Sequence, residues 1–204
     1  MKNSGQPIKL GLPNLSDSER EKIATEFSEG SERLKNLLLK MWSNNIETYA
    51  CCVGHGGKSK AYLFFDVRNF PQNKLSLILK KSMELYKKDV VELTFSNNYE
   101  KEELFDRKGL SIYRKDETIS TDDFFNIIDE ILFGENISIC VQFSKEEKEV
   151  INSVFKLYEV DMDAYINKSK NRPSHKYGHI EIDTFDKKFY TMVLNNENRI
   201  QYNF

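Results

Sequence analysis

Two short clusters hold every histidine and two of the three cysteines in this chain. The first is Cys51-Cys52-Val53-Gly54-His55; the second contains His175 and His179. Cys52-x-x-His55 is a spacing with which one turn presents a thiolate and an imidazole to a single ion. His175-x-x-x-His179 adds two imidazoles. Together the clusters supply four ligands of the kinds zinc prefers, with Cys51 as an alternative to Cys52. Geometry restricts this set. Four residues of straight strand span about 13 Å, so His175 and His179 reach one ion only if Pro173 and Gly178 bend the segment. Neighbouring strand residues face opposite sides, so Cys51 and Cys52 cannot both be ligands without a bulge. Buried free cysteines and surface histidines are the simpler reading of the same residues.

Three other chemistries use the same or nearby residues. Gly57-Lys58-Ser59 matches the end of the phosphate loop G-x-x-x-x-G-K-[ST], but Cys52 stands where the first glycine belongs. A strand-like run, Lys60 to Val67, follows where that architecture needs a helix N-terminus, which excludes a nucleotide triphosphatase. A looser anion cradle from the Gly54 to Lys58 backbone stays open, beside the plainer reading of a Gly-rich hairpin turn. Cys51 or Cys52 with His55 or a downstream histidine, oriented by Glu181 or Asp183, would make a nucleophilic pair. Lys168, Lys170, Arg172 and Lys176 with Tyr177 form a basic patch with an aromatic neighbour, suited to phosphate contacts and stacking. The default for such charge runs is a solvated face.

The elements that must position these residues are marked by caps and periodicity. Ser16 with Glu19 is a capping box that predicts a helix to about Phe27, broken at Gly30. Leu34, Leu37, Leu38 and Met41 predict a second helix, extended by Trp42 and ended by Asn44-Asn45. Ile46 to Val53 and Ala61 to Val67 read as strands joined by the Gly54 to Ser59 turn. Pro71 opens a helix on Leu75, Ile78, Leu79, Met83 and Tyr86. Val90 to Phe95 alternates as a strand with Val91, Leu93 and Phe95 inward. A polar link, Asn97 to Lys108, precedes a short strand at Leu110 to Arg114. Ser120 caps a helix that Gly134 ends. A strand with Cys140 follows over 137–143, and Ser144 with Glu147 is a second capping box. The end reads as strands over Tyr177 to Thr184, Lys188 to Leu194 and Ile200 to Phe204.

Strands in pairs between helices predict an α+β fold, with a mixed, mainly antiparallel sheet flanked by several amphipathic helices. A single domain over residues 1–204 is expected, with Glu117 the place for a boundary if one exists. Thirty basic against thirty-two acidic residues leave a net charge of −2, so no global field selects nucleic acid. Fourteen Phe and ten Tyr exclude a disordered chain. The absence of an apolar leader or membrane-length run and the odd cysteine number predict a cytoplasmic protein with free thiols and no membrane partner.

From Leu37 through His55 the chain resembles a group of proteins from low-GC bacteria and their mobile elements. In them a helix leads into Thr-x-Ala-Cys-Cys-x-Gly-His, matched here by Thr48, Ala50, Cys51, Cys52, Gly54 and His55. The likeness runs through Phe65, about thirty residues, and implies no activity. The order of helix, strand, Cys-turn and strand is also similar to wybutosine-synthesis methyltransferases carrying Ser-Ser-Cys-Ser-Gly-Arg. Here Cys51 replaces the serine before the cysteine and His55 the arginine, so a methyl-donor role does not carry over. In size, composition and ligand types the chain resembles small phage proteins that block bacterial immunity, including zinc-containing anti-CRISPR proteins. The Cys/His ligand set, with this last likeness, predicts a zinc-containing binding protein with a protein partner, such as an inhibitor of host defence, and leaves nucleic acid open as a partner. The alternative is a Cys/His- or metal-dependent enzyme acting on a phosphate-bearing or nucleic-acid substrate.

Overall fold

Ser16 starts the first helix as its spacing to Glu19 predicts. Its backbone N–H donates to Glu19 Oε2 at 2.8 Å, while its Oγ accepts the Glu19 N–H at 3.4 Å. The computed structural model describes residues 15–55, 59–100, 105–134, 143–159, 177–183, 189–195 and 198–203. Helix α1 (Asp17–Phe27) ends at Ser28, and Glu29 and Gly30 then turn the chain with φ of 50° and 89°. Ser31 caps α2 (Glu32–Ser43) by accepting the Leu34 N–H at 3.1 Å. Leu34, Leu37, Leu38, Met41 and Trp42 form its buried stripe, as the periodicity predicts. Asn45, with φ of 56°, turns the chain out of the helix.

Strands β1 (Thr48–Cys52) and β2 (Tyr62–Asp66) pair antiparallel, with Cys52 opposite Tyr62 and Cys51 opposite Leu63. Helix α3 (Gln72–Lys87) begins after Pro71 and leads to β3 (Val91–Glu100) and β4 (Phe105–Arg114). Ser120 caps α4 (Thr121–Phe133) by accepting the Asp123 N–H at 3.1 Å. Ser144 and Glu147 make the second capping box, at 2.9 and 3.1 Å, and α5 (Lys145–Glu159) follows. Strands β5 (Tyr177–Asp183), β6 (Phe189–Asn195) and β7 (Asn198–Asn203) finish the chain. The protein is α+β. Hydrogen bonding orders the strands β1-β2-β4-β3-β5-β6-β7, and the pairs β1–β2, β3–β5, β5–β6 and β6–β7 are antiparallel.

The polar link expected between Asn97 and Lys108 is instead mostly strand. β3 continues to Glu100 and β4 starts at Phe105. From Thr94 to Glu100, β3 pairs with β5, so residues of poor strand propensity gain ladder partners far away in sequence. Ser96 and Asn97 are buried as a result. The strand expected over 137–143, with Cys140, falls almost wholly outside the described residues. No helix among the described residues is long and apolar enough to cross a membrane.

The chain divides into two compact units, Met1–Glu92 with Ser111–Val141, and Leu93–Leu110 with Gln142–Phe204. In the first, Leu34, Leu37, Trp42, Leu63, Phe65, Ile78, Phe124 and Ile128 are all at most 1% exposed. Each contributes about 1.5–3 kcal/mol by leaving water. Trp42 fills the core, and its Nε1–H donates to the equally buried Thr48 Oγ1 at 3.0 Å. Arg33 and Lys40 of α2 both reach Asp129 of α4 at 2.6 Å. In the second unit, α5 buries Val150, Ile151 and Val154.

At the far end of the β1–β2 pair from the cysteines, the buried Asp66 carboxylate accepts the Arg68 backbone N–H at 2.7 Å and its guanidinium Nε at 2.8 Å. Burial and the Asp66 charge raise the Tyr49 phenol far above its usual value, so it stays neutral beside that carboxylate. Partial burial and the Asp66 charge raise the Glu47 carboxyl above the usual range. Two opposite outcomes follow for urea denaturation. Asp66→Asn removes a charge-assisted acceptor and is expected to lower stability by about 2 kcal/mol. Glu47→Gln is expected to stabilise at neutral pH, because a raised carboxyl pKa means that ionised Glu47 opposes folding. That advantage shrinks as pH falls through the raised pKa and the wild-type carboxyl takes up its proton.

Candidate metal centre

Two sharp turns of the first unit bring together residues that are remote in sequence. The α1–α2 turn carries Glu29 in a left-handed conformation directly before Gly30. The turn leaving β1 carries Gly54 and His55 just after Cys52. Gly54 has φ of 83°, and a Cβ there would lie 3.1 Å from the Ala61 nitrogen and 3.2 Å from the Ser59 carbonyl oxygen. Only glycine suits both that backbone conformation and that approach to the start of β2.

One ligand atom each from Glu29, Cys52 and His55 lies within 4.8 Å of the other two. The His55 Nε2–Glu29 Oε2 distance is 3.5 Å. Around a tetrahedral ion with metal–sulfur and metal–nitrogen bonds of about 2.3 and 2.0 Å, neighbouring ligand atoms stand about 3.3–3.6 Å apart. The imidazole–carboxylate pair already meets that spacing, and the distances to the sulfur, all within 4.8 Å, exceed it by at most about 1.5 Å. Cys52 is 7% exposed, whereas the His55 and Glu29 side chains are 54% and 39% exposed. The sulfur therefore forms the inner wall, and the other two ligands stand on the solvent side. The Gly54 N–H donates to the sulfur at 3.3 Å, and Ser59 Oγ lies 3.6 Å from it, within reach of a hydrogen bond in either direction.

The two adjacent thiols have different surroundings. The register of β1 against β2 slips between Thr48 and Ala50, before the cysteines, so Cys51 and Cys52 keep the ordinary strand alternation. Cys51 directs its S–H toward the Phe27 carbonyl oxygen at 3.7 Å and is not part of the three-residue group. Burial, reinforced by the Glu29 charge and by Cys52, pushes the Cys51 thiol up to about 12. Opposite Cys52, burial and the neighbouring thiols push the Tyr62 phenol up to about 12, so it stays neutral.

Of the residues picked out by spacing, the structure brings Cys52 and His55 together. His179 and Tyr177 lie on β5 of the second unit, where His179 pairs with Asn98 and Met192, and Tyr177 with Glu100 and Leu194. His175, Lys58, Lys168, Lys170, Arg172 and Lys176 lie outside the described residues. Glu29 is the member that sequence reasoning missed. Its one signal is a carboxylate at the helix break before Gly30, and nothing in the sequence links that break to the Cys-x-x-His turn.

A concavity of about 420 Å³ adjoins the cluster and shares Glu29 with it; Ser31, Val53, Gly54, Ser120, Thr121 and Asp122 also line it. Its hydroxyl protons are directed at protein acceptors. Ser31 Oγ donates to Asp122 Oδ1 at 3.1 Å, Ser120 Oγ to Asp123 Oδ2 at 2.7 Å, and Thr121 Oγ1 to the Val53 carbonyl oxygen at 3.1 Å. What the wall offers is oxygen acceptors and the carboxylates of Glu29 and Asp122, which suits a cation better than a phosphate. The element after Lys60 is strand β2, so the helix of a nucleotide-binding phosphate loop is absent here.

The contrast between the thiols sets an expected labelling pattern, read by iodoacetamide treatment and peptide mass mapping. Cys51 should resist labelling at neutral pH, because a thiol with a raised pKa stays protonated there. Its rate should climb with pH up to about 12. Fast labelling of Cys51 at neutral pH would contradict its environment.

No family model matches this chain, and neither a curated protein nor a solved structure matches it.

Proposed function

We propose that this protein binds a zinc ion through Glu29, Cys52 and His55, and that it acts as a metal-containing binding protein toward a macromolecular partner. The observation that carries this reading is the convergence of one carboxylate oxygen, one sulfur and one imidazole nitrogen within 4.8 Å. A single thiolate, imidazole and carboxylate form a mixed donor set suited to a borderline-soft ion that tolerates N, O and S ligands. A cytoplasmic setting, where thiols stay reduced, fits a centre built on a free cysteine. The half-exposed imidazole and carboxylate leave the solvent side free for a fourth ligand. In this reading a protein partner supplies that donor.

The same open position favours a second reading. Three protein ligands with a free fourth position are the pattern of a catalytic zinc site, in which the ion holds a water and lowers its pKa. Here the chain would be a hydrolytic metalloenzyme. The two readings share the centre and differ in turnover.

Zinc titration of the apoprotein against a chromophoric chelator is expected to give one tight site per chain. Zinc should raise the melting temperature, with about 2.7 kcal/mol gained at a hundredfold excess over Kd, and EDTA should reverse the gain. Cys52→Ser, His55→Ala and Glu29→Gln should each weaken uptake by at least tenfold, whereas Cys51→Ser should not. A wild-type protein that folds and takes up no zinc rules out both readings. Zinc-dependent hydrolysis of an activated phosphodiester, lost in Cys52→Ser, would select the enzyme; metal uptake without turnover supports the binding protein.

A further inference from the structure

Three contacts around Cys52 form a connected set. The Gly54 N–H donates to Cys52 Sγ at 3.3 Å, and Ser59 Oγ lies 3.6 Å from the same sulfur. Ser59 Oγ also accepts the backbone N–H of His55 at 3.2 Å. A serine hydroxyl has two lone pairs and one proton. With one lone pair engaged by the His55 amide, the proton remains available for the sulfur. In the free protein Cys52 carries its own S–H, and either member of the sulfur–hydroxyl pair can be the donor. Metal binding removes that choice. The thiol proton leaves to solvent as the sulfur–metal bond forms, the sulfur becomes a pure acceptor, and Ser59 must donate.

We infer that Ser59 is a positioning residue of the centre, holding the Cys52 thiolate with its proton and the His55-bearing turn with its lone pair. This inference rests on the metal reading above and adds a residue that touches no metal. Its logic is geometric. Cys52 ends a paired strand, whereas His55 lies beyond the turn, on a side chain that is 54% exposed. Ser59 is the one described side chain bonded both to the Cys52 sulfur and to the His55 backbone. Together with Gly54 it gives the sulfur two donors. These fix the direction of its lone pairs and draw off part of the charge that two anionic ligands bring to one ion. Outer-shell groups of this kind commonly change metal affinity about 10- to 100-fold.

The test uses cobalt(II) as a spectroscopic probe on the full chain. Ser59 is exposed, so Ser59→Ala and Ser59→Gly remove the hydroxyl without opening the core. Both are expected to keep one cobalt per chain and to bind it about 10- to 100-fold more weakly. Their thiolate-to-cobalt charge-transfer band should move to lower energy, because a sulfur that loses a hydrogen bond gives up its electron more readily. Ser59→Thr, which keeps the hydroxyl, should restore both the affinity and the band. Wild-type affinity and an unshifted band in Ser59→Ala and Ser59→Gly overturn the role of Ser59 and leave the centre standing. A wild-type protein that binds neither cobalt nor zinc overturns the centre and this inference together.

Discussion

Between Thr48 and Ala50 the register of β1 against β2 slips by one residue, leaving Tyr49 at the irregularity, and the site depends on where that slip falls. Residues in a strand alternate between faces, so an extra residue inverts the facing of all that precede it relative to all that follow. Because the slip comes before the cysteines, Cys51 and Cys52 remain on opposite sides. Cys52 meets Glu29 and His55, and Cys51 turns to the Phe27 carbonyl oxygen. A slip placed after the cysteines instead of before them would have exchanged the sides the two thiols face. The bulge is held at both ends. Thr48 receives the Trp42 indole N–H in the core, and Tyr49 is itself buried, with its ring 4.9 Å from that of Phe64.

The rest of the first unit fixes the turns that carry the other two ligands. Glu29 sits in a left-handed conformation, which costs a residue with a side chain about 1–2 kcal/mol. The capped start of α2 follows at once, so the turn cannot relax without releasing Ser31 from Leu34 and from Asp122. On the other side, Thr121 at the start of α4 donates to the Val53 carbonyl oxygen while accepting from Arg114, the last residue of β4. This short chain of hydrogen bonds ties the turn after β1 to a helix and a second strand. Three separate elements therefore hold the two turns that bring Glu29 and His55 to Cys52 at the end of β1.

Those restraints hold one buried and two more exposed side chains, Cys52, Glu29 and His55, in a single cluster. His55 and Glu29 stand at ion-pair distance, so a proton on the imidazole and a metal compete for the same pair of atoms. The Gly54 N–H already points at the buried sulfur and the Ser59 hydroxyl lies beside it, an arrangement that would lower the reorganisation a bound cation requires. The adjoining concavity adds the carboxylate of Asp122 and the hydroxyls of Ser31, Ser120 and Thr121 beside Glu29.

Local signals in the sequence determined the helices and most of the strand cores, because caps and side-chain periodicity act over three or four residues. Ser16 with Glu19, Ser120, and Ser144 with Glu147 each start a helix where their spacing says, and Gly30 and Asn45 each end one. The Cys52-x-x-His55 pairing was legible for the same reason, since one turn spans it. The polar ends of β3 and β4 were not, because their strand conformation comes from ladder partners such as those on β5. Glu29 was invisible as a member of the cluster, and Ser59 was legible only as the end of a phosphate-loop match, not as a neighbour of Cys52. A carboxylate after a helix and a serine in a hairpin turn are ordinary residues until packing sets them against a particular sulfur. Which thiol faces them was decided by the register of one strand pair, and register is a property of two segments together, settled by which faces the core buries.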